Sequence, residues 1–185
     1  MYSLGLLILR LTFGGLLAGH GAQKLFGWYG GRGLEGTAGM MENLGLRPGH
    51  QWATLVGAAE FFGGLLTALG LFHPVGPLVT MAPMSVATFK VHAGKPIWVT
   101  SGGAELPVTN IAISTALLLA GPGWFSFDRI FGTRAPFWLV GLVLGDLGYG
   151  LYSIFTPSQE TRQRVLETAE RAVGTVRERV PGIAA

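Results

Sequence analysis

The chain has 185 residues, of which 49% are hydrophobic and only 12% are charged. A soluble domain usually carries about 25% charged residues, so this composition indicates an integral membrane protein. The net charge of +3 does not indicate a nucleic-acid partner, because five of the thirteen basic residues lie in the last segment, interleaved with glutamates. The absence of cysteine excludes a disulfide framework, a thiolate nucleophile and cysteine-bound iron-sulfur clusters.

Five apolar segments approach the ~20 residues that a helical membrane span requires. In chain order they are residues 4–21, 52–72, 75–91, 106–120 and 135–155. Pro83 predicts a kink in the third segment. The first four segments predict an all-α fold, a polytopic membrane four-helix bundle over residues 1–132. The additional hydrophobic helix in 133–156 is either a fifth crossing or a re-entrant segment, and the sequence does not explain Asp146 near its middle.

The composition changes after residue 156. Thr156, Pro157 and Gln159 fit the first positions of a capped helix, and apolar residues then recur at helical spacing. The segment 157–185 therefore predicts a charged, amphipathic C-terminal helix.

The distribution of lysine and arginine predicts the orientation in the membrane. With five crossings, the loops after the first and third spans share one side with the basic tail, and only Arg129 and Arg134 lie on the other. We therefore expect a multi-pass prokaryotic cell-membrane protein with an external N-terminus and a cytoplasmic C-terminal tail.

Arg10 and Glu60 are ionisable residues deep inside apolar segments. A charged side chain at mid-span costs at least ~2.5 kcal/mol, so such residues usually face the bundle interior and find partners. Their estimated depths differ by roughly 8 Å at a rise of ~1.5 Å per residue, which a long arginine side chain can largely bridge. The sequence predicts an Arg10–Glu60 ion pair, either purely structural or part of a proton relay.

A second group of polar residues is expected at one membrane face. His20, Gln23 and Lys24 end the first span, His92 ends the third, and Glu105 precedes the fourth. If the first helix continues through residue 24, His20 and Lys24 are neighbours at i and i+4. We predict that these five residues form one polar binding site. No Glu-x-x-His pair or His-Glu-x-x-His sequence is present, so no metal site is expected.

Four separated motifs resemble those of the DoxX family of small prokaryotic membrane proteins: LRLTFGGLLAGHGAQKLFGWYGG, AAEFFGGLLTALGLF, FKVHAGKPIW followed by GGAELP, and GPGWFSFD. The similarity covers about residues 4 to 130. The resemblance carries the family's motif positions onto Arg10, His20, Gly21, Gln23, Lys24, Phe26, Gly27, Glu60, Gly64, His92, Gly103, Glu105, Pro107 and Asp128. The chain departs from the family pattern at Leu106, where a tyrosine is usual beside the acidic residue.

The resemblance implies a four-helix membrane protein, with relatives in thiosulfate:quinone oxidoreductases and in complexes with thiol-redox and superoxide-detoxifying partners. The leading hypothesis is a membrane subunit of a quinone-linked oxidoreductase or of a thiol or sulfur redox complex, with quinone as the cofactor and other subunits as partners. The alternative is a non-catalytic membrane anchor or assembly protein that docks other subunits. A small transporter is the third choice, suggested by the proline in the third span. Whether the chain is itself an enzyme stays open.

Overall fold

The structure is a computed structural model that describes residues 2–156, 163, 166–171 and 173. Within these residues the chain is helical and contains no strand, which confirms the predicted all-α class. The helices are α1 (Tyr2–Phe26), α2 (Gly33–Asn43), α3 (Gly49–Leu69), α4 (Val75–Val86), α5 (Glu105–Ala120), α6 (Phe127–Phe131) and α7 (Phe137–Phe155). A π-helical turn, Ala87–Val91, follows α4 directly.

The chain divides into two compact units, Met1–Ile154 and Phe155–Ala185. The helix predicted for 157–185 falls mostly outside the described residues, although 166–171 are helical. The segment 133–156, which the sequence sets apart as additional, belongs almost entirely to the first unit.

Glycines bring α1 and α3 into direct backbone contact. A Cβ atom added to Gly14 would lie 2.5 Å from the carbonyl oxygen of Gly64, and one added to Gly21 would lie 2.6 Å from the Cα of Phe61. Small residues at such crossings let helices in a membrane pack closely, since lipid supplies no hydrophobic drive between them. The two contacts pair early α1 with late α3 and late α1 with early α3, so the helices are antiparallel.

The pairs α4–α5 and α1–α5 are also antiparallel. Thr80 of α4 and Ser114 of α5 share a buried hydrogen bond of 2.9 Å, and Asn110 donates to the sulfur of Met84 at 3.3 Å. Tyr2 at the start of α1 donates to the carbonyl of Ala120 at the end of α5. A core of buried apolar residues joins α1, α4 and α5: Leu6, Phe13, Leu17, Met84 and Leu117.

Two helices, α1 and α3, are long and apolar enough to cross a membrane. Three shorter apolar helices accompany them, at Val75–Val91, Glu105–Ala120 and Phe137–Tyr152. Large apolar side chains remain exposed along the helices, including Leu16 at 67% and Leu119 at 82%. An exposed apolar surface of this extent is typical of helices that face lipid.

The helix α2 is absent from the sequence-based prediction. It lies in the connection between the first two spans, and its Ala38 and Met41 join a buried cluster with Ala53, Val56 and Val86. The start of α3 and the end of α4 supply the last three of these residues. The connection is therefore a packed layer over one end of the helices rather than an open loop.

The helix α7 packs along α4 in the same direction. Val143 lies in a buried cluster with Val75 and Leu78, and Leu151 packs further along, against the cluster that contains Val86. The helix thus runs from the end where α4 begins to the end where α4 finishes.

Candidate functional site

The most deeply buried ion pair of the described residues joins Lys24 of α1 to Glu60 of α3. The ammonium of Lys24 donates to Oε2 of Glu60. The Glu60 side chain is 5% exposed and that of Lys24 is 24% exposed, so the pair has a closed side and an open side. Gly57, one turn before Glu60, lets the end of α1 approach α3 closely. A Cβ atom at position 57 would lie 2.8 Å from the side chain of Leu25 and 3.4 Å from the Cβ of Lys24.

The predicted Arg10–Glu60 ion pair is wrong, although the prediction that both residues are buried is confirmed, each at 3% exposure. The antiparallel crossing sets Glu60 level with the end of α1 near Gly21, whereas Arg10 lies beside Gly70. At ~1.5 Å per residue, this places the two charges on the order of 15 Å apart along the helices. The helix α1 also extends to Phe26, which brings Lys24 within reach of Glu60.

His20 and Gln23 stand at the open side of the ion pair. His20 is exposed, and its Nδ1 lies 3.0 Å from Oε1 of Gln23. His20 is also close enough to Glu60 to attract its carboxylate when the imidazole is protonated. The structure thus brings together four of the predicted residues, and we call His20, Gln23, Lys24 and Glu60 the Lys24–Glu60 cluster.

The contacts of His92 and Glu105 lie within the connection between α4 and α5. Nδ1 of His92 is 2.6 Å from the carbonyl oxygen of Gly102, and the carboxylate of Glu105 accepts from the backbone N–H of Val99 at 2.9 Å. Both residues therefore hold their own loop closed. The helix ends place this loop at the same end of the fold as Lys24, and the hydrogen bonds of His92 and Glu105 stay within the loop. One binding site shared by all five residues stays a prediction.

Thr37 of α2 covers the end of α1. Its hydroxyl donates to the carbonyl of Gly33 at 2.7 Å and approaches the carbonyl of Lys24 at 3.4 Å. Since Thr37 is buried, α2 shields the backbone of the last turn of α1. The sequence analysis missed this residue, and a small-residue segment rich in glycine offers little signal for a packed helix.

A second polar cluster lies at the opposite end of the helices. The carboxylate of Asp128 accepts from the backbone N–H groups of Phe72 and His73, both at 2.8 Å, and from the hydroxyl of Thr133 at 2.6 Å. Arg10 donates through Nη2 to the carbonyl of Phe125. Asp128, the acidic residue of the last sequence motif, thus fastens the α3–α4 turn.

His73 is in the turn between α3 and α4, near Asp128 and Arg10. Burial lowers the pKa of its imidazole. This effect is larger than the two that raise the pKa, a hydrogen bond to the backbone of Leu118 and the charge of the Asp128 carboxylate. The charge of Arg10 lowers this pKa further. A depressed pKa keeps the ring of His73 neutral at neutral pH.

Among the described residues, no group of three or more histidine, aspartate or glutamate side chains is arranged to hold a metal ion. The arrangement instead combines helices with exposed apolar surfaces and a buried lysine–glutamate pair that opens toward an exposed histidine. These features define an integral membrane protein with a polar cluster between its two longest helices.

The family follows from the sequence of the same helices. Residues 5–93, which run from the first turn of α1 to the segment after α4, match the sequence model of the DoxX family, so this part of the chain is a DoxX domain. All four residues of the Lys24–Glu60 cluster lie inside the matched region, whereas Glu105 and Asp128 lie beyond it. No curated protein and no solved structure matches the chain in the same comparisons.

Proposed function

We propose that the protein is a membrane subunit of a quinone-linked oxidoreductase or of a thiol or sulfur redox complex, and that the Lys24–Glu60 cluster is its quinone site. The observation that carries the proposal is the buried Lys24–Glu60 pair with one open side, where His20 is exposed and Gln23 is partly exposed. Ionisable residues in the membrane region of a protein usually mark proton or substrate pathways. The DoxX domain supports the membrane setting.

The residue types of the cluster fit a quinone head group. Its two carbonyl oxygens require hydrogen-bond donors, which Lys24 and His20 provide, and its ring is apolar like the surrounding surface. A bound quinone supplies the electron chemistry. The chain supplies donors that orient the head group and titratable groups that hold protons beside it.

Proton movement through the cluster follows from its contacts. With Oε1 of Gln23 as acceptor, Nδ1 of His20 donates and Nε2 remains to exchange protons at the open side. Lys24 then links this entry point to Glu60, which is closed off from the surface. Glu60 is the proton acceptor at the inner end, and His20 is the proton entry.

We further propose the multi-pass topology. The helices α1, α3, α4 and α5 each cross the membrane, and α7, parallel to α4, forms a fifth crossing. The lysines and arginines near the Lys24 end support a cytoplasmic location for that end and for the C-terminal tail.

Quinone binding by the purified protein tests the proposal. We would titrate the protein in mild detergent with short-chain ubiquinone and menaquinone analogues, and extract any quinone retained from the native membrane. His20→Phe and Lys24→Met should each weaken binding at least tenfold, because each removes a donor to the head group. Lys95→Met is the matched control, since Lys95 is an exposed lysine in the His92 loop at the same end of the fold.

Two results would contradict the proposed site. Binding that is unchanged in the His20→Phe, Lys24→Met double variant would place the quinone elsewhere. Binding that is lost equally in Lys95→Met would assign the effect to general charge at this end.

The alternative function, an anchor that docks other subunits, is favoured by one further observation. Asp146 is exposed on the apolar helix α7, and added Cβ atoms at Gly141, Gly145 and Gly148 would meet nothing. A lone carboxylate on a lipid-facing helix is costly unless a partner supplies a donor. Full-length protein with Asp146→Leu should lose co-purifying subunits if α7 docks them, and Asp146→Asn should retain part of the association.

A further inference from the structure

Arg10 has hydrogen-bonding capacity that the protein does not use. The residue is 3% exposed, and its Nη2 donates to the carbonyl of Phe125. Its Nε and Nη1 are buried and have no hydrogen-bond partner. Guanidinium retains its charge under all physiological conditions, and a buried donor without an acceptor costs about 1 to 3 kcal/mol. The free N–H groups therefore require an acceptor from outside the chain.

The nearest carboxylate does not provide that acceptor. Asp128 attracts Arg10 electrostatically, but its oxygens already accept from Phe72, His73 and Thr133. Gly70 makes room for the guanidinium of Arg10, because a Cβ atom at position 70 would overlap Nη1 of that arginine. The fold thus keeps the arginine in position and leaves two of its nitrogen atoms free.

Two spaces meet at this end of the protein. A small void beside Arg10, with about 10 Å³ for water-sized groups, is bounded by Gly70, His73 and Pro122. An open cavity of about 670 Å³ lies over Asp128 and is also bounded by His73 and Pro122. We call these the inner void and the outer cavity. Because they share His73 and Pro122 as wall residues, the inner void and the outer cavity are neighbours.

The charges of the outer cavity favour an anion. Its wall carries Arg129 and Arg134, and its one carboxylate, Asp128, is occupied by three donors. His73 contributes no negative charge. The volume lies within the ~300 to 1,000 Å³ range of small-molecule sites, whereas the inner void has room for about one oxygen atom.

We propose that this end of the protein binds an oxyanion of the phosphate type, seated between Arg129 and Arg134 in the outer cavity. One anionic oxygen projects past His73 into the inner void and accepts from Nη1–H of Arg10, which lies beside Gly70 in the wall of that void. A hydrogen bond from a guanidinium to an anionic oxygen is charge-assisted and therefore strong. The site is separate from the Lys24–Glu60 cluster and does not depend on the proposed quinone function.

The oxyanion has two sources that share this chemistry: a free anion from water and the phosphate of an anionic lipid. Exposed aromatic residues lie in the cavity wall and next to it in the chain: Tyr2 and Trp124 line the cavity, and Phe131 precedes the wall residue Gly132, as expected where a membrane meets water. The experiment therefore has two arms. One measures inorganic phosphate binding to the full-length protein in a neutral detergent by equilibrium dialysis. The other measures retention of phosphatidylglycerol in nanodiscs of mixed phosphatidylglycerol and phosphatidylcholine.

Arg10→Lys is the principal variant, because it keeps the positive charge but removes the forked N–H groups. It should weaken binding at least tenfold in the arm that shows binding. The Arg129→Gln, Arg134→Gln double variant changes only exposed residues and should weaken it as strongly even if Arg10→Lys reduces stability. Arg32→Gln, an exposed arginine at the other end of α1, is the matched control and should bind like the wild type.

Each outcome decides the proposal. Phosphate binding that is lost in both variants and kept in the control supports a site for a free oxyanion. Selective phosphatidylglycerol retention with the same pattern supports the lipid head group as the source. The proposal is overturned if the wild type binds neither probe, or if both variants bind like the control, since water then satisfies Arg10.

Discussion

Removing one member of the Lys24–Glu60 pair tests how the two longest helices are held together. Lys24→Met deletes the ammonium and leaves the carboxylate of Glu60, whose side chain is 5% exposed, without its ion-pair partner. Breaking a buried pair from one side costs about 3 to 5 kcal/mol, because the remaining charge is stranded. A quarter of the Lys24 side chain is exposed, so water relieves part of this cost. We expect a loss of about 3 kcal/mol.

The matched control is the double variant Lys24→Met, Glu60→Gln, which removes both charges. Replacing a whole buried pair by uncharged residues is often neutral, so the double variant should return to within about 1 kcal/mol of the wild type. Unfolding in mild detergent, followed by tryptophan fluorescence against denaturant, measures both values. At about 1.4 kcal/mol per factor of ten, the single variant shifts the unfolding equilibrium more than a hundredfold.

The difference in unfolding free energy between the single and the double variant decides whether the Glu60 charge is stranded without Lys24. Equal stability of the single and double variants would mean that Glu60 is not stranded when Lys24 is absent. Water or another donor would then reach the carboxylate, and the closed side inferred for Glu60 would not exist.

Three further predictions concern other parts of the fold, all measured as unfolding free energies in the same detergent. Gly14→Leu should separate α1 from α3 and cost at least the ~1 to 3 kcal/mol of an overpacked core, whereas Gly15→Leu, where an added Cβ meets nothing, should be neutral. Asp128→Asn should cost about 1 to 3 kcal/mol, because an amide has one acceptor oxygen for the three donors that contact Asp128. Thr133→Val removes one of these donors and should cost about 1 kcal/mol. Equal losses in the two variants would contradict the role of Asp128 in holding the α3–α4 turn. Because burial lowers the pKa of His73, the unfolded chain binds more protons, so stability should fall as the pH drops below about 6.5, and His73→Gln should flatten this dependence.

Composition and apolar segment length sufficed for the all-helical class and for the approximate positions of the long helices. The partner of Glu60 was not predictable in the same way. Depth estimates depend on where each helix begins and ends, and α1 extends five residues beyond its predicted end at Gly21. The crossing register depends on Gly14 and Gly64, whose contacts involve backbone atoms and leave no periodic signal.

The connections were harder to predict than the spans. The segment Gly33–Asn43 contains three glycines, which lower its helix propensity, and its buried residues Ala38 and Met41 stabilise the helix through tertiary contacts that its sequence does not reveal. His92 and Glu105 were correctly placed at the Lys24 end by topology, but topology does not specify hydrogen bonds. Their acceptor and donor are backbone groups of the same loop, and such local pairings depend on loop conformation.

The helix α1 carries a positive charge toward each of its ends, Arg10 and Lys24, and the protein neutralises the two in different ways. Lys24 has a carboxylate in direct contact, so its charge is balanced within the chain. Arg10 has one carbonyl acceptor, and the nearby carboxylate of Asp128 accepts from other donors, so two of the guanidinium nitrogens of Arg10 make no hydrogen bond. The residues lie ~21 Å apart along the helix, and the charge of Lys24 is compensated by a carboxylate in direct contact. An ion pair acts at a distance as a dipole, so the Lys24–Glu60 pair affects Arg10 less than an unpaired lysine at the same place would. Breaking that pair by Glu60→Gln would therefore expose Arg10 to a larger electrostatic change than removing both charges together.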